Sequence, residues 1–154
     1  MSTQTNSLDL PFGNDAEVMD MVMAFEACSW PYGRWTHRAH IGVATSYLLR
    51  MPFDPALERM RHHIDLYNRS CGDPNGYHET ITVLFLRRLA ADLLDRAPRS
   101  GLASTVERLA ATYDMRWPLT YYSSSRLWST TARREWVEPD LRPLDFWPAK
   151  LSTA

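Results

Sequence analysis

The sequence predicts an all-α fold, a compact bundle of five to six helices closed by an extended C-terminal strap. Three observations predict it. Apolar residues recur at three- and four-residue spacing along successive segments. Each segment is bracketed by a capping residue or by proline and glycine. No sustained alternation of apolar and polar residues argues for a strand, and no internal repeat is present.

Residues 1–13 are polar and end in Pro11 and Gly13, which predicts a flexible N-terminal arm before a single helical domain over 14–154. Asn14 is the cap of a first helix over 15–29, with Glu17 in a capping-box position and Trp30-Pro31-Tyr32-Gly33 as the stop. Its apolar stripe takes in Met19, Val22 and Phe25, and Glu26 falls on or beside it. Thr36 opens a second helix over 37–50 that Pro52 ends. Asp54 caps a third from Pro55 to residue 67 or 68. The turn cluster SCGDPNG follows, then the longest periodic segment, 77–97, ended by Pro98. A fifth helix spans 102–114 and a sixth 119–136. The proline-rich stretch VEPDLRPLDFWPAK reads as the strap.

The 154 residues suit one hydrophobic core, and 45% hydrophobic with 23% charged residues is an ordinary globular mixture. Seventeen basic and eighteen acidic residues leave a net charge of -1, so no electrostatic footprint for nucleic acid exists. No apolar run is long enough for a membrane span, and the start of the chain carries no signal-peptide pattern. With only Cys28 and Cys71, read as small buried thiols, a cytoplasmic setting is expected.

Chemistry is expected where the topology gathers reactive side chains. Short connections make sequential helices antiparallel neighbours. One end of the bundle then collects Glu26 and Cys28, His37 and His40, Cys71, the Tyr77-His78-Glu79 run, Tyr121, Tyr122 and Arg126. His37 and His40 are three apart on one helix and share a face. Helix N-termini disfavour imidazolium, so these histidines and His78 are expected neutral, the form that binds metal or accepts a proton. The expected site is a divalent metal, iron or zinc, on His37, His40 and His78. Glu26 is its fourth ligand or base, and Glu79 orients or acts as general base. Zinc-hydroxide hydrolysis or lyase chemistry and non-haem iron chemistry both fit three nitrogen ligands. Arg126, Tyr121, Tyr122 and Tyr77 are expected to hold a small-molecule substrate. Glu26 has an alternative as a structural partner of Arg34, Arg38 or Arg126. Arg133 reads as an anchor for the acidic tail, and His62 and His63 as a solvated face. Two other classes stay open: metal-free His/Glu acid–base catalysis, and a non-catalytic small-molecule binder or partner subunit.

On Phe25-Glu26, His37…His40, Tyr77 to Thr82 (YHETIT), Tyr121 to Ser123, Ala132-Arg133 and Val137 to Asp140, the chain resembles a family of small, largely uncharacterised bacterial helical proteins. The resemblance covers residues 24–144, with the YHETIT block its most specific part. It implies a shared site and supplies no substrate.

Overall fold

A computed structural model describes residues 9–148. Among the described residues the chain is all-helical, with seven α-helices and two short 3-10 turns. Helix α1 (Asp15–Glu26) starts where Asn14 Oδ1 accepts the Glu17 N–H at 2.9 Å. It stops short of the expected residue 29. Cys28 takes a left-handed φ of 59°, and the N–H groups of Ser29 and Trp30 both turn back to the Ala24 carbonyl.

Helix α2 (His37–Arg50) is capped by Thr36, whose hydroxyl oxygen accepts from Ala39 N–H. Helix α3 (Phe53–Ser70) begins two residues before Pro55, with Pro52 as its cap; Asp54 sits in the first turn and complements the helix dipole instead of capping. Helix α4 (Glu79–Asp95) begins after Tyr77 because the His78 side chain is itself the cap. Helix α5 (Leu102–Thr112) follows.

The expected sixth helix over 119–136 is broken. A 3-10 turn (Trp117–Thr120), α6 (Ser124–Leu127) and α7 (Thr130–Arg134) replace it. The cause is serine chemistry. The hydroxyls of Ser123 and Ser129 accept from Arg126 and Ala132 N–H, so each serine restarts a helix instead of continuing one.

Helix α2 is the hub: it packs against α1, α3, α4 and α5, and every residue from Ile41 to Tyr47 is buried. Gly42 lets α1 come close, since a Cβ there would meet the Met21 methyl at 2.8 Å. A second cluster of Leu84, Tyr121, Tyr122, Leu127, Ala132 and Val137 joins α4 to the C-terminal segments. Thr80 fastens the strap by donating to the Glu135 carbonyl and accepting from Val137 N–H.

Of the expected arm, residues 1–8 lie outside the described residues. Residues 9–13 are tied down: Arg38 holds the Asp9 carboxylate and carbonyl, and Phe12 packs on the core. No helix among the described residues is long and apolar enough to cross a membrane.

Candidate functional site

Helices α2, α3 and α4 enclose a cavity of about 310 Å³, within the range that accepts a small organic molecule. Its wall is mostly apolar: Trp35, Ile41 and Ala44 from the α2 side, Met60 and Ile64 from α3, Ile81, Phe85 and Leu86 from α4. Exposed Met115 adds a flexible thioether to the wall. The polar contribution comes from Thr36, His37, His40 and Thr82.

Both histidines are held in one tautomer by the backbone. His40 Nδ1 lies 2.7 Å from the Thr36 carbonyl, and His37 Nε2 lies 2.7 Å from the Tyr113 carbonyl. A carbonyl only accepts, so each of these nitrogens carries the proton and the other ring nitrogen carries a lone pair. Among the described residues, His40 Nε2 and His37 Nδ1 have no hydrogen-bond partner. Burial pushes the His40 imidazole down to about 4, against the pull of the Thr36 carbonyl, with His37 adding to the depression. His37 is also lowered by burial, partly offset by the Tyr113 carbonyl and the charge of Asp114. Both rings are therefore neutral at neutral pH. Trp35 stacks on His40 with centroids 3.7 Å apart and on Phe25 at 4.4 Å, which fixes the plane of the His40 ring.

The other expected site residues go elsewhere. His78 is buried, and both ring nitrogens are in use. Nδ1 accepts from Ile81 N–H at 3.2 Å and Nε2 donates to the Leu127 carbonyl at 2.7 Å, so it does not join His37 and His40. Glu26 pairs with Arg59 at 2.9 Å, and not with Arg34, Arg38 or Arg126; it also accepts from the buried Tyr47 hydroxyl. Burial alone would raise the Glu26 carboxyl, but Arg59 and Tyr47 bond its charged form and bring it below the ordinary value. Glu79 is gripped by both Nε and an NH2 of Arg61 and accepts from the Tyr77 hydroxyl at 2.5 Å.

Tyr121 donates to Asp145, Tyr122 to the Val137 carbonyl, and Arg126 Nε to the Glu138 carbonyl; all three hold the strap. His62 is exposed as expected. His63 is not: it is half-buried, with Nε2 3.8 Å from Glu26. Both cysteines are free and partly buried. Among the described residues, no group of three or more His, Cys, Asp or Glu side chains is placed to hold a metal ion.

Sequence reasoning missed Trp35, Thr36, Thr82 and Phe85 as cavity residues, and Arg59 and Arg61 as the partners of the two glutamates. Trp35 and Thr36 directly precede His37, and their adjacency was the available signal. No protein-family model, curated protein or solved structure matches the chain.

Proposed function

We propose that the chain binds a small, mostly apolar organic molecule in the cavity between α2, α3 and α4. Recognition would come from one or two hydrogen-bond donors of the ligand directed at His40 and His37. The observation that carries this reading is the pair of neutral imidazoles, each pinned through one N–H to a backbone carbonyl, on a cavity whose remaining wall is largely apolar. An imidazole locked this way accepts at its free nitrogen and cannot donate there. The site therefore favours a hydroxyl or N–H compound over its ether or ester, by about tenfold for one good bond.

The titration behaviour favours binding over proton abstraction at His40. A base held at about 4 has little basicity at neutral pH. If the site is catalytic, His37 is the better general base, because its carbonyl partner and Asp114 oppose the burial effect.

A second reading has an observation behind it. Histidines that ligate metals commonly donate their other ring N–H to a carbonyl, as His37 and His40 both do. Iron or zinc on these two nitrogens would take its remaining ligands from water or substrate, since His78, Glu26 and Glu79 are engaged elsewhere.

Calorimetric titration with phenol and with its methyl ether, anisole, tests the first reading. Saturable phenol binding, stronger than anisole and losing that preference in His40→Leu, supports it. Equal affinities in the wild type refute it. Near-stoichiometric iron or zinc after reconstitution, lost in His37→Ala, would put the metal reading in its place.

A further inference from the structure

A second cavity, of about 530 Å³, lies between α4 and the strap, away from the two histidines. Arg87 borders it from α4. Arg142, Glu138, Asp140 and Trp147 border it from the strap, together with two prolines and two leucines. The guanidinium of Arg87 rests on the Trp136 ring at 4.2 Å, and Trp147 lies 5.4 Å away. Stacking satisfies the flat faces of a guanidinium and leaves its edge of N–H donors to be bonded.

That edge has no protein partner. Among the described residues, no carboxylate lies within ion-pairing distance of Arg87, none of its nitrogens makes a hydrogen bond, and Nε is buried and unsatisfied. Only Nε is cut off from water, and the two Nη groups stay open to the cavity; burial lowers the Arg87 guanidinium, and the nearby Glu138 charge opposes that. The two carboxylates of the cavity are already engaged. Glu138 accepts the Trp136 indole N–H at 2.9 Å, and Asp140 accepts from the Ser123 backbone N–H and hydroxyl at 2.8 and 2.5 Å. Arg142 bonds Asp145 at 2.6 Å and lies over the Tyr121 ring at 4.9 Å, with its side chain half exposed.

We propose that this cavity is a binding site for an aromatic monocarboxylate. Its carboxylate would take the two Nη groups of Arg87 in a two-pronged bond, supported by Arg142. Its ring would lie against Trp147 and the strap's prolines and leucines. A single negative charge suits the cavity better than a double one: Glu138 and Asp140 keep their charges and oppose any anion, and they oppose a phosphate dianion more than a carboxylate.

The test is calorimetric titration of the full chain with benzoate, its neutral counterpart benzamide, and inorganic phosphate, alongside the 15N-detected Arg87 Nε–H resonance. Benzoate is expected to bind with a Kd of about 1 mM or tighter, at least about tenfold more tightly than benzamide or phosphate. The Arg87 Nε–H signal should shift on saturation. Arg87→Gln should weaken benzoate about tenfold, and Arg142→Gln, at an exposed position, by roughly threefold. If Arg87→Gln does not fold, the Arg142→Gln variant and the benzamide comparison decide alone. Equal binding of benzoate and benzamide, phosphate binding as well as benzoate, no saturable benzoate binding, or saturation with the Arg87 Nε–H unmoved would each overturn the proposal.

Discussion

The Nε2–H of His78 donates to the backbone carbonyl of Leu127 at 2.7 Å, while Nδ1 of the same ring caps α4 through Ile81 N–H. One side chain thereby starts a helix and ties it to α6. Removing it leaves a buried carbonyl and a helix N–H without partners. His78→Ala is expected to cost about 2–3 kcal/mol in urea unfolding, and His78→Asn, which can cap but cannot reach Leu127, about 1 kcal/mol less. Unchanged stability in His78→Ala would contradict the double role.

Acid should weaken the fold through His40. Its unfolded value is 6.5 and its folded value about 4, so between these the unfolded chain takes up a proton that the folded chain refuses. Stability is full above 6.5 and falls as pH drops towards 4, by on the order of 3 kcal/mol at most from this group. His37, His63 and His78 are lowered too and act in the same direction. Urea midpoints at about pH 7.5 and about pH 5 should diverge more in the wild type than in His40→Phe. Parallel losses would refute this assignment.

Glu26 belongs to a structural cluster with Tyr47, Arg59 and His63. Tyr47→Phe removes a donor from a carboxylate that keeps its arginine. It should destabilise by about 1–2 kcal/mol and leave ligand affinity at the histidine cavity unchanged. A loss of affinity larger than the loss of stability would return Glu26 to the binding chemistry.

Cys28 adopts a left-handed φ that glycine accepts more readily. Cys28→Gly should be neutral or stabilise by up to about 1 kcal/mol, and Cys28→Val should destabilise by at least about 1 kcal/mol. Thermal melts of the two variants would show this ordering, and a reversed order would rule out strain at this turn.

The helical class and the starts at Asn14 and Thr36 were legible in the sequence, because capping and apolar periodicity are local. The break of 119–136 was not, because Ser123 and Ser129 are helix-compatible by propensity until their hydroxyls take backbone donors. The α4 start was missed because histidine is an uncommon cap. His37 and His40 do share one cavity, as their spacing on one helix allowed. Bundle topology placed His78, Glu26 and Glu79 near the same end, but topology does not say where a side chain is spent. Leu127, Arg59 and Arg61 claimed them through bonds across 49, 33 and 18 positions.

Binding at this cavity requires His40 and His37 to be neutral, with the proton on Nδ1 of the first and Nε2 of the second. Long-range 1H–15N correlation of the histidine rings near neutral pH measures this directly. The expected result is a protonated Nδ1 and bare Nε2 in His40 and the reverse in His37, with the His40 Nε2 signal moving upfield when phenol donates to it. An imidazolium at either position, a proton on His40 Nε2, or a His40 signal indifferent to saturating phenol would contradict it.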